Sequence, residues 1–489
     1  MSEYDKDLQS IQEARQLSTR AFSAWKEWSS ASQEQVDKVC AAMATVAIDA
    51  SERLGIMAYE ETGYGVPEHK RLKNEFASRN VWESIKDLKT VGIIGHNVEK
   101  KIYEIAWPVG VIAGLTPSTN PTSTVMFKIL IAVKARNAIV IAPHPAAAKC
   151  CYETTRIMAQ AAEQNGAPAG LISCMEHINL KGTQELMHHK YVALILATGG
   201  TPMVRAAYST GKPAIGVGPG NVPVYVDRSA DIEKAARYIV ASKAFDHSTI
   251  CATEQSVVAD TPIAQSLKVL MEQEGAFFAN PQQTEILRKL LFHPDGTMNT
   301  NVVGKSAEYV AGMAGISIPR GTRIIVTPLK ITGKNEPLSR EKLTTVLGWY
   351  EEEGWEAGCE RCIELIQFGG RGHSLIIHAT DEKVIMAFGL EKPVFRIAVN
   401  TMGTLGAIGL TTGVMPSMTL GAGGVGGSIT GDNVTAHHLM NIKRLAYELC
   451  PPPAAAMQPG QLRPHPSPQE IEKAVRSAVE EILNIKSYL

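Results

Sequence analysis

Short runs of apolar residues alternate with helical stretches over residues 109–227, and this alternation limits the fold more than any other feature of the chain. The runs are rich in β-branched residues: VGVIAGLTP (109–117), NAIVIAP (137–143), YVALILATGG (191–200) and VPVYVD (222–227). Between them lie segments with helical character, such as STVMFKILIAVKAR and CCYETTRIMAQAAEQ. A strand that is apolar along its whole length needs cover on both faces, which helices provide in a parallel sheet. The sequence therefore predicts an α/β fold built on a parallel sheet.

The alternation resumes after residue 228, so a second parallel-sheet α/β domain is expected there. A chain of 489 residues is too long for one hydrophobic core and should form two or three domains. Ahead of both sheets, residues 5–90 carry apolar side chains at helical spacing, for example Val36, Val39 and Met43. This segment is predicted to be helical.

Composition excludes several kinds of partner. The 48 basic and 49 acidic residues form no block of like charge, so neither nucleic acid nor an anionic membrane is an expected partner. The amino terminus is polar rather than a secretory signal, and no apolar run reaches the roughly 20 residues that span a bilayer. Eight scattered cysteines fit a reducing, cytoplasmic compartment, and the CERC pair at 359–362 lacks the partner pair of a metal site.

The stretch AFDHSTICATEQSVV (244–258) places Cys251 behind a polar turn and ahead of a strand-like run. A single cysteine in such a chain is either a small buried apolar residue or a nucleophile held where a substrate can reach it. No neighbouring histidine can be assigned as its base. Glu254 is expected to support the next strand rather than to face the site.

Two other segments have the form of binding loops. In LTPSTNPTSTVMFK, Asn120 lies between a buried strand and a helix, where its amide either caps the helix or donates to a developing oxyanion. In ALILATGGTPMVRAAY, Gly199 and Gly200 join a strand to a helix, which lets the backbone approach a pyrophosphate. GVGPGN (216–221) is a weaker signal that also fits a plain turn.

Six segments, in this order along the chain, carry a resemblance to a known family: TPSTNPTSTVMFK, NAIVIAPHPAAAK, ILATGGTPMVRAAYSTGKPAIGVGPGNVPVYVD, SKAFDHSTICATEQSVV, EKLTTVLGWY and PSMTLGAGGVGGS. They resemble the aldehyde dehydrogenase superfamily and, within it, the CoA-acylating branch that includes the aldehyde domain of bifunctional aldehyde–alcohol dehydrogenases. The resemblance spans roughly residues 10–445. It implies two parallel-sheet α/β domains plus a small oligomerisation arm.

The resemblance also implies a role for each segment of the chain. Residues 1–227 would form the domain that binds NAD and CoA, and residues 228–425 the catalytic domain that holds Cys251. Residues 426–450 would be the return and oligomerisation segment. The implied assembly is a homodimer or a homotetramer.

Residue by residue, the resemblance makes Cys251 the nucleophile and Asn120 the oxyanion donor. It places Gly199 and Gly200 beside the pyrophosphate, and it implies that Glu341 binds the nicotinamide ribose. His144 stands after Pro143 where hydrolytic members have a lysine against the adenosine ribose, which leaves that cofactor contact open. The predicted cofactor-binding residues are Thr116, Pro117, Ser118, Pro143, His144, Gly199, Gly200, Gly218 and Glu341.

One position decides between the branches of the family. Hydrolytic members carry a glutamate general base 34 residues before the cysteine, and that distance leads here to Val217. Valine cannot activate water, so another nucleophile must resolve a thioester, and the CoA thiol fits. The prediction is an acylating dehydrogenase that oxidises a short aldehyde, acetaldehyde or propionaldehyde, with NAD and CoA. Sulfoacetaldehyde, which would require a cationic residue in the pocket, is the alternative substrate, and a hydrolytic dehydrogenase is the alternative reaction.

The tail beyond the family match has its own pattern. Residues 451–468 contain seven prolines and predict an extended linker. Ser467, Pro468 and Glu470 form a helix start, and apolar residues then recur at three- and four-residue steps over 469–489. Such a helix either docks on the enzyme or on a sister subunit, or it binds shell proteins. The second alternative places the enzyme in the lumen of a bacterial microcompartment.

Overall fold

The computed structural model describes residues 5–453, 456 and 467–486, with the side chains of the last helix described as far as residue 478. The helices are α1 (Lys6–Trp28), α2 (Gln33–Asp49), α3 (Ser51–Thr62), α4 (Pro67–Glu75), α5 (Val81–Ile85), α6 (Pro121–Lys134), α7 (Ala148–Gln164), α8 (Leu180–His188), α9 (Thr201–Tyr208), α10 (Ile232–Ala244), α11 (Thr261–Gln273), α12 (Pro281–Leu291), α13 (Ala307–Ala314), α14 (Gly354–Gly369), α15 (Glu382–Glu391), α16 (Gly403–Gly406) and α17 (Pro468–Lys486). The first five confirm the helices predicted for the amino-terminal segment.

The strands fall into three sheets. They are β1 (Ile93–Asn97), β2 (Ile102–Pro108), β3 (Val111–Thr116), β4 (Ala138–Pro143), β5 (Ile172–Cys174), β6 (Val192–Thr198), β7 (Ala214–Val217), β8 (Val222–Val226), β9 (Glu254–Asp260), β10 (Ala276–Phe278), β11 (Ile324–Pro328), β12 (Val346–Glu352), β13 (Leu375–His378), β14 (Ile397–Val399) and β15 (Met440–Ala446). The order of the first parallel sheet is β5–β4–β3–β6–β7, and that of the second is β10–β11–β12–β9–β8–β13–β14.

The first sheet arises from the apolar runs in the sequence. Every residue of β3 and β4 is buried, because α6 and α7 pack on the sheet along with the amino-terminal helices. Both faces of such a strand are buried, so apolar side chains are favoured on each face. This explains why apolar and polar residues do not alternate in these runs. The predicted α/β fold with two parallel sheets is therefore confirmed.

Strand β8 is where the structure differs from the sequence prediction. Residues 222–226 were expected in the first domain, but β8 pairs in parallel with β9 and β13 of the second sheet. The chain leaves the first sheet through the glycine-rich loop after β7. The second sheet therefore begins at residue 222, five residues before the predicted boundary at residue 227. The rest of the division at residues 228–425 and 426–450 stays a prediction.

The chain divides into two compact units. One comprises residues 1–94 and 105–443 and holds both parallel sheets, and the other comprises residues 95–104 and 444–489. A third sheet has the order β1–β2–β15. Whether it serves as the oligomerisation arm stays a prediction.

Helix α17 begins as the sequence indicates. The Ser467 backbone N–H donates to Glu470 Oε2 at 2.8 Å, and the Glu470 N–H donates to Ser467 Oγ at 3.3 Å. This reciprocal pair is the capping box predicted for the helix start. Most of the predicted linker, residues 454–455 and 457–466, lies outside the described residues. Within the described ranges, no helix has both the length and the apolar character needed to cross a bilayer.

Candidate active site

A cavity of about 620 Å³ lies where four strands of the first sheet end. Thr116, Pro143, Thr198 and Val217 line it, and they are the last residues of β3, β4, β6 and β7. Ligands of open parallel sheets bind at this edge, because the loops after the strands diverge there. The cavity size is that of a small-molecule or cofactor site.

The cavity brings together every site residue predicted from the sequence. Its lining includes Thr116, Pro117, Ser118, Asn120, Pro143, His144, Gly199, Gly200, Gly218, Cys251 and Glu341. These residues come from the ends of β3 and β4 and from loops more than 200 positions apart in the sequence. Their roles in catalysis and binding stay predictions, whereas their convergence on one cavity is a feature of the structure.

The turn at Gly199 and Gly200 has the form expected of a pyrophosphate loop. It joins the end of β6 to Thr201, the first residue of α9. A Cβ added at either glycine would meet no protein atom closer than 3.7 Å, so packing within the protein does not require glycine here. The turn leaves space on the cavity side in front of a helix amino terminus, which favours an anionic ligand.

The segment before Cys251 has an unusual backbone. Asp246, His247 and Ser248 have φ angles of 46°, 50° and 66°, the left-handed region that residues with a Cβ rarely adopt. Three such residues in succession persist only where the surroundings hold them, and such strain is concentrated at functional sites. Cys251 follows three residues later, partly exposed on the cavity wall.

The surroundings of Cys251 keep its thiol protonated. Burial raises the pKa of the Cys251 thiol to about 12, and the Glu341 carboxylate adds to the rise. The guanidinium of Arg396 and the backbone N–H groups of Cys251 and Ala252 oppose it, since each favours the thiolate. The thiolate is therefore a minor species near neutral pH.

Asn120 does not cap the helix that follows it. It occupies the N-cap position of α6, yet its side chain makes no capping bond. Instead, its Nδ2 donates to the Thr249 carbonyl oxygen at 2.9 Å, and its Oδ1 accepts from Lys73 Nζ at 2.5 Å. The structure therefore excludes the helix cap, one of the two interpretations of Asn120 from the sequence. The amide lines the cavity and is bonded to Thr249, two residues before Cys251.

Glu341 reaches the cavity from the loop before β12. Its Oε1 accepts from the Gly220 N–H at 2.9 Å, and burial raises the pKa of its carboxyl to about 7. Gly220 itself lies against the nucleophile loop, because a Cβ there would sit 2.3 Å from the Cys251 carbonyl oxygen. The GVGPGN segment is thus more than a plain turn: Gly218 lines the cavity and Gly220 permits the close approach.

The His144 side chain is hydrogen-bonded within its own loop. Its Nδ1 accepts from the Ala146 N–H at 3.1 Å, and partial burial lowers the pKa of the ring. The imidazole is therefore neutral near pH 7 and offers no fixed positive charge to the cavity.

Two residues beside Cys251 are not part of the cavity lining. Glu254 is buried and accepts from Ser242 Oγ at 2.5 Å and from the Gly403 N–H at 2.7 Å, as expected for a residue that supports the strand. The Nδ1 atom of His247 lies 3.1 Å from the Gly304 carbonyl oxygen.

Sequence reasoning missed the charged cluster behind the site. The Asp246 carboxylate, fully buried, accepts from the Val66 N–H at 2.7 Å and from Thr249 Oγ1 at 2.5 Å. Lys70 and Lys73 pair with the same carboxylate and hold its pKa at about 2. These lysines lie in PEHKRLKNEF, which has the composition of a solvent-facing helix, so no sequence signal indicated burial.

The residues present fit a dinucleotide cofactor. Glu341 offers a carboxylate to a ribose hydroxyl, and the Gly199–Gly200 turn offers backbone N–H groups to phosphate. Among the side chains that the structure describes, no group of His, Cys, Asp and Glu has the arrangement of a metal site.

Comparison with known proteins gives the family. The aldehyde dehydrogenase family profile matches residues 4–275, more than half of the chain. The chain belongs to the aldehyde dehydrogenase family. This membership confirms the resemblance predicted from the six sequence segments.

Three relatives illustrate the range of the family around this chain. An acetylating aldehyde dehydrogenase from Geobacillus thermoglucosidasius is 50% identical, with a TM-score of 0.90, over 92% of this chain and 99% of its own. A propionaldehyde dehydrogenase from the Clostridium phytofermentans fucose utilisation bacterial microcompartment is 29% identical, with a TM-score of 0.81, over 91% and 99%. An aldehyde-alcohol dehydrogenase from Streptococcus pneumoniae serotype 4 is 42% identical over 82% of this chain and 46% of its own. This chain spans about half the length of the aldehyde-alcohol dehydrogenases that it matches.

Proposed function

We propose that this aldehyde dehydrogenase is CoA-acylating: it oxidises a short, uncharged aldehyde with NAD and CoA to an acyl-CoA and NADH. The observation that carries the proposal is the cavity in which Cys251, Asn120 and Val217 meet. The first two supply a nucleophile and an oxyanion donor, and the third stands where a hydrolytic relative would need its base. The acylating names of the relatives support the same reading.

The chemistry at the protein is nucleophilic catalysis by Cys251. Its thiolate attacks the aldehyde carbon, and Asn120 Nδ2 and the Cys251 N–H stabilise the oxyanion of the thiohemiacetal. NAD, when bound, would supply the hydride acceptor, and CoA would supply the thiol that takes the acyl group from the Cys251 thioester. Glu341 and the Gly199–Gly200 turn would hold the dinucleotide.

Transfer to CoA rather than to water follows from the charge of the lining. Val217 is buried at the end of β7 and cannot take a proton. Glu341 is the one carboxylate among the described lining residues, and it is bound to the Gly220 N–H. A water molecule near the thioester therefore finds no general base at position 217, whereas a thiol ionises more easily and attacks without one.

The lining also favours an uncharged alkyl substrate. Its apolar residues include Ile250, Val303, Leu343, Ile408, Met418 and Leu420. No lysine or arginine is among the lining residues in the described part of the chain. A sulfonate or a carboxylate on the substrate would find no cationic side chain in the lining to pair with, which is costly. Acetaldehyde and propionaldehyde fit, and sulfoacetaldehyde does not.

The absence of lysine and arginine from the described lining also favours NAD over NADP. Binding of NADP requires a positive group at the 2′-phosphate of the adenosine ribose. His144, which is neutral near pH 7, is the residue that the sequence resemblance implies at that ribose. NAD is therefore the proposed cofactor.

The tail supports a location inside a microcompartment. Ile471 and Val475, one helical turn apart on α17, are 51% and 57% exposed, and an apolar stripe on a short helix needs a partner surface. The microcompartment propionaldehyde dehydrogenase among the relatives supports this proposal. We therefore assign shell proteins as partners of residues 469–489 and a cytoplasmic microcompartment lumen as the location. The homodimer or homotetramer implied by the sequence resemblance is the proposed assembly.

A substrate panel tests the activity. The purified chain is incubated with NAD, CoA and acetaldehyde, propionaldehyde or sulfoacetaldehyde, and NADH and acyl-CoA are measured together. The two alkyl aldehydes should give equal amounts of NADH and acyl-CoA, and Cys251→Ala should give neither. Free acid as the main product would replace the acylating proposal with a hydrolytic one, and a preference for sulfoacetaldehyde would overturn the substrate assignment.

A further inference from the structure

Behind the candidate active site, a buried cluster of charges touches the oxyanion donor directly. Lys73 Nζ donates to Asn120 Oδ1 at 2.5 Å, lies 3.3 Å from Thr249 Oγ1, and pairs with the Asp246 carboxylate. Lys73 is 2% exposed, so its ammonium has exchanged water for these three oxygens. A lysine is buried in this way only where the charge has partners, and one of its partners here is Asn120.

The contacts fix the orientation of the Asn120 amide. Burial lowers the pKa of Lys73 to about 7, and the Asp246 carboxylate favours the charged form. In that form the ammonium can only donate, so the atom facing Lys73 is the carbonyl oxygen. The Thr249 carbonyl can only accept, so the atom 2.9 Å from it must be the nitrogen. The second N–H of Nδ2 points to Thr119 Oγ1 at 3.2 Å, a side chain that lines the cavity. An oxyanion in the cavity can take the place of this hydroxyl as acceptor.

A charge on the oxygen of an amide also changes its nitrogen. Hydrogen bonds in series polarise one another, and the effect is larger where the dielectric is low. An ammonium on Asn120 Oδ1 draws electron density from Nδ2 and makes its N–H groups stronger donors. Orientation and polarisation both act on the group that faces a developing oxyanion.

Lys70 provides the comparison within the same cluster. It is also 2% exposed and also pairs with Asp246, at 3.3 Å, but its second partner is the Thr119 carbonyl oxygen at 3.3 Å. The two lysines thus share their burial and their carboxylate. They differ in that Lys73 touches the Asn120 amide.

We propose that Lys73 is a positioning residue that holds and polarises the Asn120 amide, so that the amide stabilises an oxyanion formed at Cys251. The proposal rests on the proposed function in taking Cys251 as the nucleophile and Asn120 as the donor. It does not depend on whether the acceptor of the acyl group is CoA or water.

The test uses two reactions of the same thiol. p-Nitrophenyl acetate acylates Cys251 through a tetrahedral oxyanion: the sulfur bonds to the carbonyl carbon, nitrophenolate leaves, and the thiol proton goes to solvent. Iodoacetamide alkylates the thiol by direct displacement of iodide, with no oxyanion. Neither reaction needs NAD or CoA, so a failure of the proposed function leaves this test intact.

The variants form a double-mutant cycle: Lys73→Met, Asn120→Ala and the pair of both, with Lys70→Met as the matched control in each background. Lys73→Met should slow nitrophenolate release on the order of tenfold, a part of the roughly 10²–10³-fold that one oxyanion donor supplies. In the Asn120→Ala background, it should have almost no effect. Alkylation should change less than about twofold in every variant, since no oxyanion forms there.

A purely structural role for Lys73 gives a different pattern. Lys73→Met would then slow acylation by the same factor with and without Asn120, or slow alkylation equally, and either result overturns the proposal. Lys70→Met should act equally in both backgrounds. If Lys73→Met does not fold, Lys73→Gln decides, because it keeps a donor for Asp246 and Asn120 but removes the charge. Its effect on acylation should again disappear without Asn120, and an unchanged effect contradicts the proposal.

Discussion

Asn120 Nδ2 donates a hydrogen bond to the carbonyl oxygen of Thr249 at 2.9 Å, two residues before Cys251. The bond ties the loop after β3 in the first sheet to the loop before β9 in the second. The proposed oxyanion donor and the proposed nucleophile are therefore held together by the fold before any substrate arrives. Preorganisation of this kind is what makes a donor effective in catalysis.

The high pKa of the Cys251 thiol predicts a steep pH dependence of its reactivity. Only the thiolate is alkylated, and with a pKa of about 12 its fraction rises about tenfold per pH unit through the neutral and mildly alkaline range. We expect the logarithm of the iodoacetamide rate to rise with pH with a slope near one between pH 7 and 9, as measured by mass spectrometry of the Cys251 peptide. A plateau below pH 9 would show that the thiol of the free enzyme is already activated.

Glu341 should hold back this reactivity through its charge. Its carboxylate raises the pKa of the Cys251 thiol, and its own pKa of about 7 leaves it ionised at pH 8.5. Glu341→Gln should therefore speed alkylation at pH 8.5 by several fold and also raise the KM for NAD. Glu254→Gln is the matched control, because Glu254 lies outside the cavity lining and faces Ser242 and Gly403, and it should leave the alkylation rate unchanged. Equal rates in the Glu341 variant and the wild type would refute this electrostatic link.

Val217 offers a gain-of-function test. A glutamate at this position would place a carboxylate in the cavity lining, where hydrolytic relatives have their base. We expect Val217→Glu to form NADH and free acid without CoA, with a gain of up to about 10²-fold over the wild type, typical of a positioned general base. Val217→Gln, similar in size but unable to take a proton, should show no gain. The same gain in both variants would point to altered shape rather than to base catalysis.

The sequence predicted the elements that follow from local pattern. Strands β3 and β4 read as strands because both of their faces are buried, and the turn at Gly199 follows from its glycines. Glu341 was placed in the site by family resemblance alone, since nothing local marks a glutamate 90 positions after Cys251 as its neighbour.

The features that were missed depend on distant contacts. In the sequence, Lys73 looks like a surface residue of an amphipathic helix. It can be buried because its ammonium pairs with the Asp246 carboxylate, 173 positions away. The left-handed backbone of Asp246–Ser248 could not be predicted, because the segment contains no glycine. Tertiary hydrogen bonds hold it in this conformation. The boundary before β8 was missed because an apolar strand does not show which sheet it joins.

Residues 451–489 should be dispensable for catalysis. None of them lines the cavity in the described chain, so their deletion should leave kcat and KM unchanged and the assembly intact. The deleted enzyme should no longer co-purify with microcompartment shells, and a fluorescent protein fused to the tail should acquire shell binding. Loss of activity or of the oligomer on deletion would favour docking of α17 on the enzyme itself, and a diffuse fusion protein in shell-producing cells would end the targeting proposal.

The central claim is a Cys251 thioester that waits for CoA, and a stopped-flow measurement of NADH tests it most directly. Enzyme is mixed with acetaldehyde and NAD, first without CoA and then with it. Without CoA, we expect a burst of about one NADH per active site followed by almost no turnover, because the acyl-enzyme has no base for hydrolysis. Addition of CoA should restore steady NADH formation, and Cys251→Ala should show neither phase. Sustained NADH formation without CoA would contradict the account.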